Sequence, residues 1–598
     1  MTHSGLHLVQ EQAAPVPPPK KRRRVWPVVL LILLALLALA VWWCLREMRT
    51  STLQARFFTE LAGKLRYKVE AGPSTSIRFP KGSPYDERLG YANIPDFVEK
   101  LKARDYRVAA QARFSPKMVE LADMGVFAIY REKTKVGLEI LDCRKEPLFT
   151  ASYPERYYPD FAHTPDILVR SLLFVENREL LDPTYPKRNP AVEWDRLSKA
   201  VLDKSLNTFG GHRTGGGSTL ATQIEKYRHS AEGRTNSIKD KLRQMVSAAL
   251  RAYQQGEDTT AARRRIVVDY LNTVPLSAKT GYGEVNGIGD GLWVWYGRDF
   301  AEVSRELNGK LDQPGSALAY KQALSLLIAQ RRPTYYLGDG DDDLEALTNS
   351  HLRLLAQAGV ITAQLRDAAI AVKLHPATGS GVVAAPANSF VARKASNAVR
   401  NHLAGLLGDS RLYNLDRLDL SVVSTLDAHA QQEVTKVLRK LRDSEAAKEA
   451  GLTGKGMLGN GDPANVVYSF TLLEKGDNVN YLRLQTDNFD HPLDINEGAK
   501  LDLGSTAKLR TLVTYLDIVD QLHKRYGEST AAELGKIVVD PKDMISQWAI
   551  AYLKPLPPGD KGRALPAMLL AALDRKYSGN PGEGFFTGGG LHHFHNFS

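Results

Sequence analysis

The sequence predicts a multidomain protein: an N-terminal transmembrane helix, a small α/β module, a mainly α domain and, behind a linker, an α+β domain. Three observations predict it. An uncharged run dominated by Leu, Val and Ala fills residues 25–45. Apolar residues recur three and four apart through long stretches of residues 156–375, the period of amphipathic helices. A Pro/Gly/Ala-bearing break then precedes a region in which strand-like and helix-like patterns mix. A length of 598 residues allows about three to five folded units. Hydrophobic residues at 43% and charged residues at 24% exclude a mainly disordered or collagen-like chain. Two cysteines, Cys44 and Cys143, exclude a disulfide framework and a cysteine-rich zinc site. The net charge of +12 admits nucleic acid, anionic lipid or a phosphorylated substrate, and only its placement can choose among them.

Residues 1–24 read as a disordered tail ending in the basic cluster Lys20–Arg24. The 21 residues of the apolar run would span about 31 Å as a helix, close to the hydrocarbon thickness of a bilayer. Trp26, Trp42 and Trp43 stand at its ends, where indole favours the interface. Basic residues ahead of the run keep the N-terminus cytoplasmic and export the chain beyond residue 46. Arg46-Glu47-Met48-Arg49 offers no small-residue cleavage site, so the expectation is a single-pass anchor.

In residues 46–155, Tyr67–Glu70, Val126–Tyr130 and Val136–Leu141 read as strands and Ile94–Arg104 as a helix. Residues 156–375 are mainly helical, with Ile238–Tyr253, Arg263–Asn272 and Ala317–Gln330 the clearest patterns. Residues 376–400 form the linker. In residues 401–598, Leu420–Leu426 and Asn465–Leu473 read as strands and Leu509–Leu522 as a helix. The final glycine- and histidine-rich stretch does not look like a domain's natural end, so this last domain is expected to be cut short.

Glu176 follows the apolar run Ile167–Val175 directly, and a carboxylate leaving an apolar wall suits acid/base work. Gly215-Gly216-Gly217 lets a backbone approach a ligand, and Ser218 or Thr219 can cap the helix that follows. The open N–H groups of that helix start favour an anion such as phosphate. Gln223 and Lys226 lie near one of its faces, and Lys226 is suitably placed to pair with phosphate.

These residues carry a family resemblance. Glu176, then Gly216-Gly217-Ser218-Thr219 with Gln223 and Lys226, then Ile266–Asn272, come first. Gly281-Tyr282-Gly283, Gly287-Ile288-Gly289, Trp295-Tyr296-Gly297-Arg298 and Leu326–Ala329 with Pro333 come after them. In order and approximate spacing they resemble glycosyltransferase family 51, the peptidoglycan polymerase domain of class A penicillin-binding proteins, over about residues 160–340. The resemblance implies a lysozyme-like fold and polymerisation of lipid II, with release of undecaprenyl pyrophosphate. It implies Glu176 as the general base on the acceptor's 4-hydroxyl. It further implies Ser218, Thr219, Gln223, Lys226, Lys241, Arg243, Gln244 and Asn272 as the substrate-binding set, with Thr219, Gln223 and Lys226 expected to hold the pyrophosphate. The departures are specific. Asn177 stands where the family has Asp, Leu180 and Pro183 replace an aromatic and a His, and Asp240 and Gln244 replace a basic residue and a Glu. Gln244 can neither carry a proton nor a charge.

Ser505-Thr506-Ala507-Lys508 opens the last helical pattern, putting Ser505 and Lys508 one turn apart. With Thr425-Leu426-Asp427 and Gln431 upstream, this part resembles a penicillin-binding transpeptidase domain. The resemblance implies Ser505 as acyl nucleophile and Lys508 as its base. The mechanism also needs a Ser-x-Asn and a Lys-Thr-Gly. Ser578-Gly579-Asn580 is a weak match for the first, and no Lys-Thr-Gly follows it. The domain therefore reads as partial, and cross-linking is not expected of this polypeptide.

The expected function is a membrane-anchored peptidoglycan glycosyltransferase, with lipid II, the nascent glycan strand and the bacterial inner membrane as partners. Its catalytic part would lie outside the cytoplasm. Residues 46–155 bear a loose likeness to the small accessory domain of some class A synthases, where partner regulators dock. No metal ligands are assigned; a divalent ion such as Mg2+ at the pyrophosphate is the one cofactor left open. The alternative is a catalytically weak scaffold that binds lipid II or glycan and recruits a partner synthase. Nucleic-acid binding rests on net charge alone and is not expected.

Overall fold

Two helices open the described chain, α1 (Trp26–Thr50) and α2 (Thr52–Gly63). Val29–Thr50 is long and apolar enough to cross a membrane, and its apolar window is not buried by the rest of the protein. The helix continues past the expected 25–45 run. Buried Ser51, at φ 52°, turns the chain between the two helices. Glu47 Oε1 accepts from the Leu53 and Gln54 amides and so caps α2. The structure, a computed structural model, describes residues 26–194, 218–311, 313–376, 390–454, 456–491, 493–499, 506–575, 584–587 and 590–593. It falls into two compact units, Met1–Glu497 and Gly498–Ser598.

In the first unit β1 (Tyr67–Ala71) pairs antiparallel with β2 (Ala110–Phe114). The same stretch of chain also forms α3 (Pro84–Arg88), α4 (Ile94–Lys102) and α5 (Pro116–Asp123). Val126–Tyr130, expected as a strand, joins no sheet. Its backbone is satisfied by side chains of a helix, α8 (Ile238–Ala252). The Phe127 N–H donates to Ser247 Oγ at 3.1 Å, and Arg251 donates to the Ala128 and Tyr130 carbonyls at 3.0 and 3.1 Å. Strand β3 (Leu138–Leu141) lies between antiparallel β4 (Pro147–Thr150) and parallel β7 (Leu420–Val423). A strand from beyond residue 400 thus completes a sheet begun near residue 138, and the unit boundary falls inside the expected 401–598 domain.

The helical part contains α6 (Asp166–Glu176), α7 (Leu220–His229), α8, α9 (Thr260–Thr273) and the hairpin β5 (Pro275–Lys279) and β6 (Gly283–Asn286). It continues with α10 (Gly287–Tyr296), α11 (Phe300–Asn308), α12 (Pro314–Ala329), α13 (Asp341–Gln357) and α14 (Ala363–Ala371). Helix α12 is buried nearly all round, as expected of a helix without a polar face. Leu168 and Leu172 of α6, Val267 and Leu271 of α9, Leu292 of α10 and Leu352 of α13 share one core with it. Gly287-Ile288-Gly289 is explained by close approach. A Cβ on Gly287, whose φ is +81°, would lie 2.3 Å from the Asn272 carbonyl oxygen, and one on Gly289 would lie 2.3 Å from that of Arg156.

Helix α15 (Phe390–Leu407) begins within the expected linker 376–400. After β7 come α16 (Ala428–Lys440) and the hairpin of β8 (Ser469–Lys475) and β9 (Asn480–Asp487). Lys394 of α15 donates to Asp487 at 2.8 Å in a buried pair. The second unit packs α17 (Ala507–Tyr526), α18 (Met544–Leu553) and α19 (Leu565–Leu573) around Val519, Leu553 and Met568, and adds a hairpin of β10 (Gly584–Thr587) and β11 (Gly590–His593).

Candidate active site

Glu176 is the last residue of α6, whose apolar face sits in the core, so the carboxyl is delivered at the point where the helix stops. It is 8% exposed. Gln223 Nε2 donates to Glu176 Oε2 at 2.8 Å, and Gln330 Nε2 donates to Oε1 at 3.1 Å. The Arg331 guanidinium lies 3.9 Å from Oε1. Tyr270 O–H donates to Gln223 Oε1 at 3.3 Å, orienting that amide with its NH2 toward the carboxylate. Burial, then the nearby Glu176, pushes the Tyr270 phenol well above its usual range, so it stays a donor. Two amides and a guanidinium hold Glu176 as an acceptor beside helix α7.

Asn177 continues the chain and ties it to α7: its Oδ1 accepts from the Leu220 N–H at 3.4 Å. Thr219 and Thr222 form a capping box at the same helix start. Lys226, one turn after Gln223, lies close enough to Glu176 to feel its charge. Burial lowers the Lys226 ammonium below the usual lysine range, and Glu176 partly offsets this. Lys241 reaches across from α8 and donates to Ser218 Oγ at 2.6 Å. Burial, then the neighbouring Lys226, lowers it to about 8. Glu176, Ser218, Gln223, Lys226 and Lys241 are thus brought together: one acceptor, one hydroxyl, one amide and two part-buried ammoniums.

Four other expected ligands are placed differently. Thr219 is 1% exposed and its hydroxyl is spent on the capping box, so it builds the helix start. Asn272 accepts from the Tyr158 N–H and donates to the Tyr158 carbonyl, both at 2.8 Å. Its amide pins the loop before α6 and, at 1% exposed, is closed off from a substrate. Gln244 is fully buried and meets the hydroxyls of Ser230 and Thr235, each at 2.9 Å. It fixes the turn after α7, a task an uncharged amide performs at less desolvation cost than a carboxylate. Arg243 faces the N-terminal module: a Cβ on Gly125 would lie 2.7 Å from its guanidinium.

Ser505, Gly215–Gly217 and Ser578–Asn580 lie outside the described residues. Lys508 is exposed on the first turn of α17, not in the buried setting that an activated lysine base needs. Asp427 caps α16 and pairs with Arg144 at 2.6 Å, while the Gln431 amide bonds to the Gln485 backbone at 2.6 and 3.1 Å. Both act as structural groups.

Sequence reasoning missed Gln330, Arg331 and Tyr270. The first two directly follow α12, a polar pair after a long apolar run, which is the same signal that marked Glu176. It also missed the opposite face of α7. There Glu132, from the N-terminal module, pairs with Arg228, with His229 Nε2 at 2.6 Å and with Arg251 at 2.8 Å. Glu225 pairs with Arg251 at 2.7 Å, and Asp86 with His229 Nδ1 at 3.0 Å. Burial alone would depress His229, but Glu132 and the hydrogen bonds to Asp86 and Glu132 raise it to about 9.

Among the described residues no three His, Cys, Asp or Glu side chains gather as a metal-binding set. The groups around Glu176 are amide and guanidinium donors, which do not suit Mg2+ as ligands, so no step is assigned to a protein-held metal. A search of curated proteins finds no match. Residues 144–358, which contain Glu176, α7 and the lysines beside it, match the family described as Transglycosylase, and this mainly helical part of the chain is a transglycosylase domain.

Proposed function

We propose that the chain is a membrane-anchored peptidoglycan glycosyltransferase that joins lipid II units into glycan strands. The observation that carries this is the shared site of Glu176, Lys226 and Lys241, with Ser218 between the cations and the start of α7. In the reaction the acceptor's 4-hydroxyl gives its proton to the Glu176 carboxylate, and its oxygen forms a bond to the donor's anomeric carbon. The bond from that carbon to the pyrophosphate oxygen breaks, and the lipid diphosphate leaves with the electron pair. Lys226 and Lys241 oppose the charge that develops on the leaving group, as pre-placed cations in a part-buried site do best. Gln223 and Gln330 each donate to one of the base's two oxygens, and a carboxylate oxygen keeps a further lone pair for the acceptor hydroxyl. The apolar α1 supports an anchor, since a substrate with a lipid tail stays in the bilayer. Its cytoplasmic N-terminus is inferred from the basic cluster before it.

The test is polymerisation of labelled lipid II by the full-length protein in detergent, compared with Glu176→Gln. A general base contributes about 10²–10⁴-fold, so the variant is expected to lose at least two orders of magnitude in kcat. Equal product from both proteins would remove Glu176 as the base. Wild-type protein that binds lipid II yet never elongates it would instead establish the scaffold reading, which the substitution of Gln244 motivates.

A further inference from the structure

Behind α7, on the side away from Gln223 and Lys226, lies a cavity of about 440 Å3, within the range that holds small ligands. Its floor carries three carboxyl groups, Glu132, Glu225 and Asp269, against two guanidiniums, Arg228 and Arg251. His229 and Asp86, which close the network, add one charge of each sign. Counted without the rim arginines, the floor carries one net negative charge, part of which Arg265 offsets at Asp269. Two observations locate the deficit. Burial holds the Glu225 and Asp269 carboxyls above their usual range, and Oε2 of Glu225, a residue 2% exposed, has no hydrogen-bond partner among the described residues. The rim has the opposite bias: Arg131, Arg264 and Arg265 are exposed there, against Asp160.

We propose that this cavity binds a small zwitterion of the amino-acid class, its cationic group paired with Glu225 and its carboxylate held by Arg264 and Arg265 at the rim. An apolar ligand would leave the floor uncompensated. A simple anion would enter beside Glu132, Glu225 and Asp269 at a cost in repulsion. A zwitterion meets both biases at once. The groups that face Glu225 are Arg251, His229, Glu132 and Arg228, and Arg251 gives up part of its pairing to the ligand-bound carboxylate. The occupant would rest against the back of the helix that carries Gln223 and Lys226, which makes it a candidate effector. The binding itself does not depend on the glycosyltransferase reading.

The experiment is isothermal titration of the full-length protein in detergent with L-lysine, cadaverine and glutarate. L-Lysine is expected to bind saturably and at least tenfold more tightly than glutarate, which has no cationic group. Glu225→Gln is expected to weaken it at least tenfold. Because that change also removes a buried ion-pair partner, the exposed double variant R264A/R265A supplies a second arm; it is expected to weaken L-lysine while leaving cadaverine unchanged. Melting curves establish that each variant is folded. Absence of saturable L-lysine binding, equal affinity for glutarate, or wild-type affinity in both variants would each overturn the proposal.

Discussion

Burial and the neighbouring Lys226 lower the Lys241 ammonium to about 8, which gives the proposed pyrophosphate site a pH signature. A lysine with a depressed pKa is charged below that value and neutral above it. Donor capture is therefore expected to fall as pH rises through about 8, with kcat/KM for lipid II dropping about tenfold per unit beyond it. Lys241→Arg, charged across the range, is expected to move this alkaline limb above pH 9; a limb that stays in place would assign it to another group. Lys226 and Glu176 could be proposed from the sequence because their chemistry is local: Gln223 and Lys226 are one turn apart on one helix, and Glu176 ends an apolar run; Lys241 came only from the family resemblance. Asn272 and Gln244 were not legible in this way. An amide has no charge to betray its partner, and that of Asn272 is the backbone of Tyr158, 114 residues away. Only the fold decides whether such a group faces a substrate or a loop.

Helix α7 works on two faces. Gln223 and Lys226 look toward Glu176, while Glu225, Arg228 and His229 are buried with Glu132 of the N-terminal module. Removing one partner from such a buried network leaves uncompensated charge and costs about 3–5 kcal/mol. Glu132→Gln is expected to destabilise the first unit by about that amount in urea unfolding. His229 adds a pH dependence of definite sign. Its folded-state pKa of about 9 exceeds the unfolded value near 6.5, so its contribution is fully present below about pH 6.5 and is lost as pH rises through about 9. The melting temperature should fall across that window, and His229→Gln should flatten the fall. The helices themselves were legible from apolar spacing, and the structure holds α8, α9 and α12 close to the expected spans. Val126–Tyr130 was misread because an extended apolar run looks the same whether its backbone bonds go to another strand or to Arg251 and Ser247.

At the scale of the whole molecule the expected division into consecutive domains gives way to interleaving. Parallel pairing of β3 with β7 joins residues 138–141 to 420–423, and parallel partners carry no turn between them that a sequence could reveal. The N-terminal module also supplies Glu132 to the network behind α7, so it is part of the transglycosylase domain's support. Every side chain assigned to the chemistry belongs to the first unit, Met1–Glu497. A chain ending at Glu497 is therefore expected to polymerise lipid II within about twofold of the full-length rate, a difference below about 0.5 kcal/mol in barrier. Deleting residues 52–150 removes β3, the middle strand of its sheet, together with Glu132, and is expected to abolish both activity and a cooperative melt. The two deletions separate the alternatives. If the N-terminal deletion kept activity, α7 would be held by its own packing alone; if the C-terminal deletion abolished it, residues beyond 497 would have to contribute to the polymerase.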